Sequence, residues 1–85
     1  MTYKDLTKEN IYDAINYIKK HGVPEKHKNR KYELVVRKSY PPKYVVLLAN
    51  HLTNGADISD DSFNSIDANN LLKSLGFDIE EIYDN

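Results

Sequence analysis

The sequence predicts a small α+β fold in the order helix, strand, helix, helix, strand, held in one domain over residues 1–85. Three observations point there. Apolar residues recur at helical spacing in three segments, each closed by a glycine: Ile11, Ala14, Ile15 and Ile18 before Gly22; Val45, Leu48, Ala49 and Leu52 before Gly55; Ala68, Leu71, Leu72 and Leu75 before Gly76. Between the first two, Tyr32, Leu34 and Val36 alternate with Glu33, Val35 and Arg37, the period-two pattern of a strand with one face on a core. Phe77, Ile79 and Ile82 supply a closing strand whose simplest partner is the run 32–37, paired antiparallel. This order is compatible with a reduced winged-helix arrangement; the alternative is a hairpin ending at Tyr40 with the helices on one face.

Each element carries its own boundary signals. The first helix is expected at about residues 8–21, with Thr7 as N-cap, Leu6 and Ile11 as a hydrophobic staple, and Glu9 where the helix dipole favours an anion. Lys19, Lys20 and His21 suit its negative end, Gly22 a left-handed cap, and Val23 can fold back on Ile18. Residues 24–31 contain no apolar side chain after Pro24 and read as an exposed basic loop. Arg37, Lys38 and Ser39 then make a turn, and Tyr40 is held extended by the proline that follows it. Pro42 fits the first position of a second helix, where its missing N–H costs nothing, and this helix should end near Thr53 or Asn54. Tyr44, Val46 and Leu47 widen its stripe until the first two turns are apolar nearly all round, which makes it the central helix. An acidic turn, Asp57 to Ser62, leads to Phe63. The third helix, about 67–75, should be capped by Asp67, stapled by Ile66 and Leu71, and closed by Phe77 returning onto Leu72.

The composition is that of an ordinary globular domain, 40% apolar and 29% charged, with no apolar run near the ~20 residues of a membrane span and no signal-peptide stretch at the N-terminus. The absence of cysteine removes disulfides, thiolate metal sites and thiol nucleophiles, and points to the cytoplasm. Net charge is −1, but residues 1–43 hold 11 Lys/Arg against 5 Asp/Glu, whereas residues 44–85 hold 1 against 8. That asymmetry suits a polyanion on the first half, a basic partner on the second, or mutual neutralisation across the fold.

No catalytic constellation can be assembled, so the chain reads as a binding domain rather than an enzyme, and no cofactor is implied. His21, His27 and His51 are too irregularly spaced for a ligand motif: His21 suits a helix terminus, His27 a solvated loop, and His51 a half-buried position on the second helix. Asp57, Asp60 and Asp61 lack the spacing and distal glutamate of a calcium loop. The sharpest feature is Tyr40-Pro41-Pro42-Lys43, which puts a lysine in the first turn of the central helix, where the dipole disfavours it by a few tenths of a kcal/mol or more. An anion bound there would face Lys43, Arg37, Lys38 and the free N–H groups of the helix start, with Tyr40 and Tyr44 beside it. The competing interpretation lays the Lys43 stem over the strand and pairs its head with a carboxylate of the acidic half. Among the other tyrosines, Tyr32 fits the core, and Tyr3, Tyr12 and Tyr17 its rim.

From Leu6 to Tyr83 the chain resembles the N-terminal head domain of ScoMcrA-like, modification-dependent restriction endonucleases. The pieces that carry the resemblance are an opening helix, a basic loop, the strand Tyr32-Glu33-Leu34-Val35-Val36, the run from Tyr40-Pro41-Pro42-Lys43 to Leu48-Ala49-Asn50, and the closing run from Asn69 to Ile79. One stretch departs from it: where that family has Phe-x-Gly-Gly before the last helix, this chain has Phe63-Asn64-Ser65-Ile66 and is a residue shorter. The resemblance implies a non-catalytic accessory role linked to nucleic-acid recognition in prokaryotic restriction and defence. The residues expected to meet a phosphate backbone are Lys26, Lys28, Arg30 and Lys31 in the loop, with Arg37, Lys38, Tyr40 and Lys43 at the corner. Such binding to DNA would be weak and independent of sequence, since the third helix offers only Lys73 against Asp67. The alternative is a protein-interaction module or small regulator docking through its acidic half onto a protein partner, such as another domain of a restriction system.

Overall fold

A computed structural model describes residues 3–28, 30–58 and 63–82. Helix α1 spans Lys8–His21, strand β1 Tyr32–Val36, β2 Lys38–Tyr40, helix α2 Pro42–Asn54, α3 Ser65–Ser74 and strand β3 Asp78–Glu81, with short 3-10 turns at Tyr3–Asp5 and Glu25–His27. The α+β class holds. The sheet is antiparallel in the order β2-β1-β3, and a single strand follows α3. The segment expected to be a turn, Arg37 to Ser39, is in fact the tip and return strand of a hairpin: Val36 faces Lys38, Leu34 faces Tyr40, and only Arg37 lies between, at φ 66°. Strand β3 pairs on the other side of β1, with Ile79 opposite Leu34 and Glu81 opposite Tyr32.

Helix α1 begins and ends where its apolar period and flanking signals require. Thr7 Oγ1 accepts from the Asn10 N–H at 3.3 Å and Asn10 Oδ1 accepts from the Thr7 N–H at 2.9 Å, a capping box that satisfies two donors. Gly22 has a positive φ of 79° but ψ of −176°, so it leaves the helix extended rather than in the left-handed well. At α3 the expected cap is displaced. Asn64, not Asp67, is the N-cap, and Asp67 is the third helical residue, reaching back to the Asn64 N–H at 3.1 Å while the Asn64 side chain accepts from the Asp67 N–H at 2.9 Å. Ile66 is therefore inside the helix and exposed, and the apolar residue before the cap is the buried Phe63. The other end follows expectation: the Phe77 N–H reaches the Leu72 carbonyl at 3.0 Å and the Gly76 N–H the Lys73 carbonyl at 3.0 Å, with Gly76 at φ 92°.

Helix α2 packs against both α1 and α3 and lies over β1. Its Val45, Val46, Leu48 and Ala49 meet Ile11, Ala14, Ile15 and Ile18 of α1, Ala68 and Leu72 of α3, and Leu34 and Tyr40 of the sheet in one core, to which Leu6, Phe63 and Phe77 add from the connections. Tyr40 and Leu34 share a sheet face because they are paired, and that face is the covered one; Ser39, Asp78 and Glu80 on the other are exposed. Leu52, assigned to the buried stripe by its spacing, is 44% exposed. In its place Asn50 is buried, donating from Nδ2 to the Ala56 carbonyl at 2.8 Å and accepting from Asn54 Nδ2 at 2.7 Å. No helix among the described residues is long and apolar enough to cross a membrane. Most of the acidic turn, including Asp60 and Asp61, lies outside the described residues, as does Tyr83.

Candidate nucleic-acid interface

A cleft of about 350 Å³ opens where α2 begins. Four segments of the chain line it. The 3-10 turn after α1 contributes Lys26 and His27, the entry to β1 contributes Arg30 and Tyr32, and the hairpin's exit into α2 contributes Pro41 to Tyr44. Ser65, the first residue of α3, brings a second helix N-terminus to the same cleft. No carboxylate among the described residues lines it.

Its cations are held differently. Arg30, expected in a solvated loop, is largely buried: Nη1 donates to the Lys28 carbonyl at 3.0 Å and Nη2 to Glu33 Oε1 at 3.1 Å, with side-chain exposures of 23% and 26% for Arg30 and Glu33. Its Nε–H is buried with no hydrogen-bond partner among the described residues, a donor left unsatisfied beside the cleft. Lys43 is half-buried and Lys26 exposed. Helix α2 starts with Pro41 as its cap residue, no side-chain capping bond and no acidic residue in its first turn, so the helix's own first turn supplies no carboxylate to offset the positive end of its dipole. His27 is not solvated as expected; its ring lies 4.8 Å from that of Tyr44 at 31° between planes. Burial, and secondarily the Tyr17 phenol, push the Tyr44 pKa above its ordinary value.

The expected site is thus partly assembled and partly dispersed. Lys26, Arg30, Lys43 and Tyr44 meet in the cleft. Lys28 pairs with Glu25 Oε2 at 3.2 Å on the open surface, and Lys31 is exposed without lining the cleft. Arg37 and Lys38 sit at the hairpin tip, five strand residues from Tyr32, a separation of roughly 16 Å at 3.3 Å per residue. A tight hairpin sends its tip away from its base, which is why the corner does not gather Arg37 and Lys38 around Lys43. Tyr40 is a core residue, 5% exposed, and its phenol oxygen is buried without a hydrogen-bond partner among the described residues. Tyr32, expected in the core, is half-buried at the cleft instead.

Sequence reasoning missed a second cleft, of about 450 Å³, one turn further along α2. It shares Lys26, His27 and Tyr44 with the first, has Leu47, Leu48 and Ile58 as its apolar surface, and carries His51 and Asp57, whose Nδ1 and Oδ1 are 3.1 Å apart. His51, expected to be half-buried, is exposed. The Asn50 bond to Ala56 ties the segment after α2 back onto the helix and so places Asp57 and Ile58. The available signal was a lone asparagine four residues after Val46, on an otherwise apolar face. Among the described residues no group of three or more His, Asp or Glu side chains is arranged to hold a metal ion. The chain matches no protein-family model, no curated protein and no solved structure.

Proposed function

We propose that this chain is a non-catalytic domain that binds the phosphate backbone of nucleic acid at the start of α2, in the accessory role that the resemblance to restriction-endonuclease head domains implies. The observation that supports it is the convergence of Lys26, Arg30 and Lys43 on one cleft at a helix N-terminus lacking both a side-chain cap and a first-turn carboxylate. A phosphate there would receive charge-assisted hydrogen bonds from the three side chains and offset the cost of a lysine at the positive end of a helix. Tyr32 and Tyr44 would flank it. The acidic strand β3 limits the affinity, so binding no tighter than roughly micromolar at physiological salt is expected.

Fluorescence anisotropy with a labelled duplex and a labelled single strand, at low and physiological salt, tests this. Replacing Lys26, Arg30 and Lys43 together with alanine should flatten the log-affinity against log-salt slope on duplex DNA by about 0.9, the contribution of the one phosphate contact they share. Replacing Arg37 and Lys38 should leave it nearly unchanged. The reverse pattern would move the interface to the hairpin tip. If neither probe binds at low salt, the reading fails, and the open edge strand β3 with exposed Asp78, Glu80 and Glu81 becomes the docking surface to probe with a basic protein partner.

A further inference from the structure

The two clefts form one path along α2. From its N-terminus the helix presents Lys43, then Tyr44, then Leu47 and Leu48, then His51, so that cationic, aromatic, apolar and hydrogen-bonding surfaces follow one another in that order. Lys43 and Leu47 are about 6 Å apart along the axis at 1.5 Å per residue, a distance that the phosphate and base of one nucleotide can span. The adjacent, tilted rings of His27 and Tyr44, with Lys26, form the wall common to both clefts.

We propose that the ligand of this path is a single-stranded nucleic acid, with a phosphate between Lys26, Arg30 and Lys43 and a base of the same strand in the second cleft, against Tyr44 and Ile58. This rests on the phosphate-binding reading and sharpens it. A duplex keeps its bases paired and stacked, and can offer this surface only phosphates, leaving the apolar second cleft empty. An unpaired strand can turn a base onto a ring, an interaction that every base can make. His51 and Asp57 at the rim can donate to and accept from a base edge. The continuity of an apolar cleft with a cationic one, through shared residues, favours a ligand that is apolar and anionic in alternation.

The test uses labelled oligothymidine and oligouridine of about 12 nucleotides, within the usual site sizes for such surfaces, beside a duplex of the same length. Both strands should bind about tenfold more tightly than the duplex, and Tyr44→Leu should remove about that factor for the strands. Ile58→Ser should weaken the strands and leave the duplex where it was, whereas Lys43→Ala should weaken all three. In the unaltered protein, ring-proton NMR signals of Tyr44 and His27 should shift with the strands and not with the duplex, a readout that requires no variant to fold. Equal or tighter binding of the duplex, or ring signals that do not move with the strands, overturns the inference while the phosphate-binding reading stands. Failure of every probe to bind at low salt ends both.

Discussion

Tyr40→Phe separates the two roles the sequence allowed this residue. Tyr40 is 5% exposed, pairs with Leu34 across the hairpin, and buries its hydroxyl with no hydrogen-bond partner among the described residues. A buried polar group left unpaired costs about 1–3 kcal/mol, whereas the ring itself contributes by burial that phenylalanine reproduces. The void of one oxygen returns a few tenths of a kcal/mol of the gain at about 24 cal/mol per Å³. The net expectation is a stabilisation of about 1 kcal/mol, which in a domain of this size raises Tm by about 4–8 °C. Urea melts read as Cm at unchanged m, with calorimetry alongside, measure it, and the same protein is then titrated with the labelled strand and duplex. Loss of stability would show that the hydroxyl is paired in solution. Weakened nucleic-acid binding at unchanged fold would return Tyr40 to the interface and refute its assignment to the core.

Leu48→Ala, at a position 8% exposed in the helix that both other helices pack on, should cost about 2–5 kcal/mol, while Ile82→Ala, 39% exposed just past β3, should cost under about 1 kcal/mol; denaturant melts that ranked them equally would refute the central role of α2. Asn64→Ala should lose about 1 kcal/mol by uncapping α3 and Asn64→Gly only a few tenths, and thermal melts with the reverse order would return the cap to Asp67. Arg37→Gly should relieve the left-handed backbone at φ 66° and raise stability by up to about 1 kcal/mol. Because the tip lies farther from the cleft than the Debye length of about 8 Å at physiological salt, affinity for either probe should not change there, and an affinity loss in anisotropy would place Arg37 in the interface.

What the sequence by itself determined is what local periodicity and capping chemistry encode. The α1 bounds, the Pro42 start and Gly55 end of α2, the return of Phe77 onto Leu72, and the pairing of the last strand with residues 32–37 all follow from interactions within a few residues or from a single alternating face. Helix α3 shows the limit of that logic. Asn64 and Asp67 are both good cap residues, and the choice between them was made by Phe63, which enters the core and sets where the chain turns into the helix. The site was legible as chemistry and not as geometry. Charge counting identified Lys26, Arg30 and Lys43, but their convergence depends on the loop that carries Lys26 and Arg30 meeting the start of α2, and a one-residue hairpin turn holds Arg37 and Lys38 away from that cleft. The second cleft depended wholly on tertiary structure, because Tyr44, Leu47 and Leu48 look like core in a helical period and become a surface only where neighbouring elements leave α2 uncovered. Periodicity reports which side chains can share a face; only packing decides which part of that face is left open to a ligand.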